Sequence, residues 1–368
     1  MSEKGNRKNN IAILTSYYIN NYGSVLQAYA TNYFFKSLGL DVIFIDYIRD
    51  NVRNRKIVNP KWNNSFIKKV IYHIYSTIDT ALKSLVFNSF LKQNLSFTTT
   101  YIDKESLFNA PPLADYYCVG SDQMWNSEYN GGLLSENYLA FVPSDKRKFS
   151  FSTSIGMESI SETELQSMKQ LLDEFEVVSV REENSKHLLL DAGLSNVRCD
   201  LDPTLLVPQE HWLKLVNSQR SRHKKYILIY QLNSSSLLRD YARKLANQYD
   251  LDIIQITYYM SQHWSGIHSV YLPTVKQFLS LINNAEFIIT DSFHGTAFSI
   301  NLNKEFFCFA PPKYYERIGS ILSVTGLEDR LINDIKTYSY SSKINYDKVN
   351  QILSEKRNST FSFYESLL

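Results

Sequence analysis
This sequence predicts an α/β protein of two successive sandwiches, each built on a parallel sheet, with a cleft between them. Three observations carry that reading. The chain opens with a strand, an amphipathic helix and a second strand, which is the start of a parallel sheet. A second series of the same kind begins after Asp202-Pro203. The length, 368 residues, exceeds one compact core and suits two domains of ordinary size.

In chain order, residues 11–15 are an apolar strand ended by a polar loop over 16–22. Residues 24–38 follow with Val25, Leu26, Ala28, Tyr29, Tyr33, Phe34 and Leu38 at helical spacing, closed by Gly39. Residues 42–47 form the next strand. Residues 51–100 hold Lys61, Lys68, Lys69, Lys83 and Lys92 among Ile67, Val70, Ile71, Ile74, Ile78, Leu82, Leu85 and Val86. That pattern reads either as helices packed on the first domain or as a basic amphipathic surface for a membrane or a lipid-linked acceptor. Strands follow at 115–119, 149–154 and 177–180, with helices at 162–175 and 181–190, the latter closed by Gly193. After the junction, strands at 226–230, 252–257, 287–290 and 306–309 alternate with helices at 236–249, 275–284, 296–302 and 318–325. A long helix occupies 346–368. The resulting division is 1–200, 201–345 and a terminal helix over 346–368.

Composition bounds the function. Hydrophobic content of 44% with 21% charged residues is that of a soluble globular chain. Lys and Arg number 39 against 37 Asp and Glu, and a net charge of +2 gives no footprint for nucleic acid. Cys118, Cys199 and Cys308 lack metal-ligand spacing and suit a reducing compartment. The polar N-terminus lacks a signal core, and no apolar run is long enough to span a bilayer, so a cytoplasmic location is expected.

The polar clusters share one position: each follows an expected strand. They are Asn20 to Ser24, Gly120 to Gln123, Arg181-Glu182 and Asp291 to Gly295. Ligands in such sheets sit at the carboxyl ends of strands, so these clusters are expected to converge on one crevice. The segment 288–295 runs from a strand into Ser292, His294 and Gly295 and then into an apolar helix. First-turn amides lack intrahelical partners and favour an anion, and an imidazole there adds charge or carries a proton. A phosphate- or carboxylate-bearing small molecule is the expected ligand. Asp291 reads as the N-cap of that helix. Arg181 is either a surface ion pair or part of the anion site. Asp122 holds its loop, donates a proton or binds acceptor hydroxyls, and Asn21 and Gln27 are loop-fixing or acceptor-binding. Gly23, Gly120 and Gly295 read as turn formers. No H-x-x-x-H or C-x-x-C pair occurs, and no D-x-D cluster sits at the end of an expected strand, so no metal is expected. Walker-type and G-x-G-x-x-G loops are absent, and Ser292 is not in a G-x-S-x-G elbow.

Taken in order, Asn21-Tyr22-Gly23-Ser24-Val25-Leu26-Gln27-Ala28-Tyr29, Val119-Gly120-Ser121-Asp122-Gln123-Met124-Trp125-Asn126, Ser179-Val180-Arg181-Glu182, Leu201-Asp202-Pro203-Thr204-Leu205-Leu206 and Thr290-Asp291-Ser292-Phe293-His294-Gly295-Thr296 resemble the polysaccharide pyruvyl transferase family. The resemblance implies two Rossmann-like domains arranged as in GT-B glycosyltransferases, the first on the acceptor side and the second on the donor phosphate side, with the last helix crossing back. It implies phosphoenolpyruvate as donor and co-substrate, with no separate cofactor, and a glycan or lipid-linked saccharide as acceptor, placing the enzyme in the cytoplasm or peripherally at the inner membrane face. By the family's pattern Arg181 and His294 hold the donor, with Ser292, Phe293 and Gly295 beside them and Lys313 or Arg317 as a further cation. Some members carry arginine where this chain has Ser292, which leaves one phosphate cation to come from elsewhere. Asn21, Tyr22, Gln27, Asp122 and Gln123 fall to the acceptor. Asp122 and His294 are the candidates for acid and base, in either order. A nucleotide-sugar glycosyltransferase of the same architecture and a non-catalytic anion- or glycan-binding protein are the rival readings.

Overall fold
The computed structural model describes residues 8–48, 66–216, 225–233, 235–259, 264, 266–309, 315–332, 340 and 342–368, excepting the side chains of 66–69, 71 and 72. Strands β1 (Asn10–Leu14), β2 (Asp41–Phe44), β3 (Tyr116–Val119) and β4 (Arg147–Ser150) make one parallel sheet in the order β2-β1-β3-β4. β5 (Val178–Val180) and β6 (Val197–Cys199) pair in parallel and extend it through bridges from Phe149 to Val177 and Thr153 to Val180. A second parallel sheet runs β11-β10-β7-β8-β9, with β7 (Tyr226–Tyr230), β8 (Asp252–Thr257), β9 (His268–Tyr271), β10 (Phe287–Thr290) and β11 (Glu305–Cys308).

Both faces of each sheet are covered, as the near-continuous apolar strands require. Alternation divides the side chains. Ile11 and Ile13 of β1, Leu228 and Tyr230 of β7 and Ile288 of β10 face one continuous core that runs between the sheets. Ala12 and Leu14 face a second core with Trp125 and Val180, and Ile227, Ile229 and Ile289 face a third with Tyr241 and Phe307. The helix Tyr22–Ser37, capped by Asn21, which accepts from the Ser24 amide at 2.8 Å, lies in the shared core. The helix Tyr346–Leu367 returns to the first sheet. There the Tyr364 hydroxyl donates to the Ser150 carbonyl at 3.0 Å, and Arg147 donates to the Leu367 carbonyl at 2.6 Å.

The sequence reading differs from this in several places. β4 stops at Ser150 because Ser152 adopts φ +50, and only Thr153 resumes pairing. β6 and β9 are too short for periodicity to show. The strand-end β6 places Asp200-Leu201-Asp202, a D-x-D, where none was expected; both carboxylates are taken by arginines, Asp200 by Arg198 and Asp202 by Arg181. The helix after β5 begins at Glu183, leaving Arg181 and Glu182 in the turn. The helix after β10 spans Phe293–Asn301, so His294 lies in its first turn. Its N-cap is Ser292, whose Oγ accepts from the Gly295 amide, and not Asp291. Asp291 instead accepts from the Leu232 and Asn233 amides at 2.6 and 2.7 Å, tying the end of β10 to the end of β7. Of the 51–100 segment, residues 51–65 lie outside the described residues, and a helix spans Phe66–Asn94.

Candidate active site
Each sheet has a place where successive connections leave in opposite directions: between β1 and β3 in the first, and between β7 and β10 in the second. Loops diverge there and open a crevice at the carboxyl ends of the strands. In this molecule the two crevices meet. One cleft of about 860 Å³, open to solvent, is lined by Ser16, Asn21, Gly23, Ser24, Asp122 and Gln123 from the first half. From the second half it takes Tyr230, Asn233, Asp291, Ser292, Phe293, His294 and Arg317.

Asp122 follows β3 in the left-handed region, φ +82, a conformation that costs a residue with a Cβ and persists where surroundings enforce it. Its carboxylate accepts from the Ser24 hydroxyl at 2.7 Å and the Gln123 amide at 3.0 Å. Burial opposes its charge, but His294, Arg317 and Arg181 outweigh that and hold the carboxyl below its ordinary range, so it is ionised.

His294 is buried over the start of the helix Tyr22–Ser37. A Cβ on Gly23 would lie 2.1 Å from its Nδ1. Its Nε2 stands 3.8 Å from Asp202 Oδ2 and has no hydrogen-bond partner. Burial pushes the imidazole down to about 4, against the pull of Asp202 and Asp122, so at neutral pH it is uncharged. Of the two roles expected of it, charge or proton carrier, a neutral buried ring fits the second.

Arg181 donates from Nη1 to the same Asp202 oxygen at 2.8 Å and from Nε to Glu182 at 3.3 Å. Burial opposes its charge, yet Glu182, Asp202 and Asp122 keep it above its ordinary value. Its Nη2 is buried without a partner. Arg181 does not line the main cleft. It lines the adjoining small pocket, which shares Phe293 and Arg317 with it. Both guanidiniums lie against the Phe293 ring, Arg181 at 4.2 Å and Arg317 at 5.3 Å from its centre. Arg317, on the helix Tyr315–Thr325, makes no ion pair among the described residues, and its Nε is buried and unpaired. Burial and the neighbouring Arg181 pull it down to about 10, so it remains a cation.

Three buried polar atoms, the donors Arg181 Nη2 and Arg317 Nε and the ring nitrogen His294 Nε2, thus lack hydrogen-bond partners around one ring. Such groups cost free energy unless something pairs them. The Phe293 and His294 amides, in the first helical turn, add to the set.

The remaining expected residues divide. Ser292 caps its own helix at the cleft wall, and Gln123 lines the cleft. Asn21 lines it too, but its side-chain oxygen is used as a cap. Tyr22 and Gln27 are not acceptor contacts. Tyr22 is wholly buried, stacked 4.2 Å from Phe278, and Gln27 is buried with its Nε2 on Thr15 and the Ser24 carbonyl. Gly23, Gly120 and Gly295 are close-approach positions and not turn formers. A Cβ would strike His294 at the first, Thr15 at the second and Thr290 at the third, and none has positive φ. Lys313 lies outside the described residues. Asp202 carries the connection between Arg181 and His294, and the sequence reading gave it no role. Its signal was its place in the Asp-Pro junction. Its Oδ1 accepts from the Thr204 amide and hydroxyl at 2.9 and 2.7 Å, and these partners with His294 and Arg181 hold it down to about 2 against burial. Among the described residues no group of His, Cys, Asp and Glu side chains is arranged to hold a metal ion, and no helix is long and apolar enough to cross a membrane.

No curated protein sequence matches this chain significantly. Among solved structures, trehalose-6-phosphate synthase OtsA shares 9% identity at a TM-score of 0.52, over 97% of this chain and 98% of that one. The UDP-GlcNAc 2-epimerase of Neisseria meningitidis bound to UDP-GlcNAc shares 11% at 0.48, over 96% and 92%. S. aureus MnaA with UDP shares 15% at 0.45, over 95% and 87%. The likeness to OtsA shows the fold: two Rossmann-like domains in the GT-B arrangement. The family model for polysaccharide pyruvyl transferase matches residues 21–313, which takes in the strand-end clusters from Asn21 onward. With that match over most of its length, the chain belongs to the polysaccharide pyruvyl transferase family.

Proposed function
We propose that this chain transfers pyruvate from phosphoenolpyruvate to two hydroxyls of a glycan or lipid-linked saccharide, closing a cyclic ketal and releasing phosphate. The observation that carries it is the set of three buried, unpaired nitrogens on Arg181, Arg317 and His294, gathered where the cleft and the adjoining pocket share Phe293 and Arg317. A small ligand with a phosphate and a carboxylate satisfies all three at once.

The chemistry follows from the charge states. The donor methylene takes a proton and becomes a methyl group, leaving cationic character at C2. One acceptor hydroxyl adds there, the C2–phosphate oxygen bond breaks, and the second hydroxyl closes the ring. Of the two hydroxyl protons, one replaces that given to the methylene and the other leaves with phosphate. Asp122, held ionised, is the base for an acceptor hydroxyl. His294 is the acid once a bound anion has raised its proton affinity. Arg317, with the free edge of Arg181, stabilises the departing phosphate. Phosphoenolpyruvate is a co-substrate, and the reaction uses no further cofactor.

The experiment is incubation with labelled phosphoenolpyruvate and a panel of lipid-linked saccharides, read by mass spectrometry. A product heavier by one pyruvate ketal, with stoichiometric phosphate, is expected. Thermal stabilisation by UDP or GDP and none by phosphoenolpyruvate would overturn the proposal in favour of nucleotide-sugar transfer. Binding of phosphoenolpyruvate without turnover across the panel would favour a non-catalytic binding protein.

A further inference from the structure
The helix Phe66–Asn94 has two apolar faces, and only one of them is used. Phe87, Phe90 and Leu91 are buried, with the Phe87 ring 5.0 Å from that of Tyr22. Asp79 accepts from Lys83 at 2.7 Å and from the Tyr271 hydroxyl of β9 at 2.9 Å, and Lys83 covers the Tyr259 ring. These contacts fix the helix to both halves of the molecule. On its other side Val70, Ile74, Ile78, Leu82 and Leu85 are each 40–69% exposed. Their spacing of four, four, four and three draws one stripe about 22 Å long. Several hundred Å² of contiguous apolar side chain is the scale of an interaction patch, not of scattered exposure.

We infer that this stripe lies on an anionic lipid surface, which holds the enzyme beside lipid-linked acceptors. Charge selects that occupant. On this helix Lys83 and Asp79 pair with each other, which leaves Lys68, Lys69 and Lys92 with no acidic residue of the helix against them. The chain just before it, residues 49–65, carries Arg49, Arg53, Arg55, Lys56 and Lys61 against Asp50 alone. An apolar stripe on a helix of net positive charge, preceded in sequence by a basic stretch, matches the interface of an anionic leaflet, where each basic residue adds attraction. A second copy of this chain would instead set like charge against like. The helix is of the kind that lies on a bilayer: its polar, lysine-bearing remainder prevents it from spanning one. Because Phe87 packs on Tyr22, next to Gly23 in the cleft wall, a docked helix brings the bilayer close to the cleft.

The supply of acceptor rests on the pyruvyl-transfer reading, but lipid binding does not, and flotation requires no donor. The test floats the full chain with vesicles of phosphatidylethanolamine and phosphatidylglycerol, and with phosphatidylcholine alone. Binding is expected to the anionic vesicles, at least tenfold weaker to neutral ones and weakened by 0.5 M salt on the order expected for screened charge. The triple variant Ile74→Ser, Ile78→Ser, Leu85→Ser should lose at least tenfold in binding while melting like the wild type and forming ketal on a water-soluble acceptor unchanged. Absence of flotation with either vesicle, or flotation undiminished in the triple variant, would overturn the inference. So would dimerisation in sedimentation that the same variant abolishes, since a second copy would then own the stripe.

Discussion
A donor that binds beside His294 should bring a proton with it. Burial keeps the imidazole neutral, at about 4. At an effective dielectric of about 20, a unit negative charge about 5 Å from the ring is worth about 3 kcal/mol, or about 2 pKa units. The two charges of phosphoenolpyruvate therefore lift His294 to near neutrality or above. Isothermal titration of phosphoenolpyruvate at pH 6, in buffers of different ionisation enthalpy, counts the protons. The donor's own phosphate titrates near there, so the measured quantity is the difference between wild type and His294→Gln. Wild type should take up close to one proton more than the variant. Equal uptake in both, with binding intact in each, would refute the reasoning, because the ring would then stay neutral in the complex and another group would have to supply the acid.

Four further outcomes follow from the geometry. Gly23→Ala places a methyl group 2.1 Å from His294 Nδ1, and turnover should fall about 100-fold by displacing the ring, for about 1–3 kcal/mol of stability in urea titration. Arg181→Ala strips the cation from buried Asp202 and Glu182 and should destabilise the chain by about 3–5 kcal/mol in the same measurement, so its loss of activity must be read against folding. Stability should fall as pH drops from 6.5 to about 4, by about 3 kcal/mol in full, because the unfolded chain protonates His294 and the folded one resists. Asp202, ordinarily at 3.8 and held at about 2, adds a further loss below that window, and His294→Gln should abolish only the upper step in pH-dependent melting. Tyr22→Phe should leave the acceptor KM unchanged and cost about 1 kcal/mol, since its hydroxyl serves the Pro273 carbonyl.

The strands of the second sheet were readable because β7 and β10 are apolar on both faces, and that pattern survives without knowledge of neighbours. β6 and β9 were not, being short and half-covered. At the site, local rules placed Asp122, Ser292 and His294 at strand ends. They failed wherever a partner is remote in sequence. Gly23 resembles a turn glycine until the imidazole of His294 is seen against it. Arg181 reads as a surface ion pair or an anion ligand until Asp202 is seen bonded to it. Asn21, Tyr22 and Gln27 start one helix, and nothing local says that Asn21 faces the cleft while Tyr22 and Gln27 face the core.

The charge balance of the cleft argues for the division of labour proposed above. Asp122, Asp202, Glu182 and the cleft-lining Asp291 oppose Arg181 and Arg317 around a neutral His294, so among the described residues carboxylates outnumber guanidiniums there. In the proposed reaction the carboxylates offset part of the guanidiniums' pull on a dianion, and a proton arriving with it restores the balance; His294 is where the field of the incoming anion and of Asp202 and Asp122 favours that proton. The same proton, set on a buried ring whose other side is closed by Gly23, is the one available for the donor's methylene. Binding and activation are then a single electrostatic event. Asp202 has its part in it without touching substrate, since its Oδ2 faces both Arg181 and the imidazole, and losing that oxygen would uncouple the two halves of the anion site.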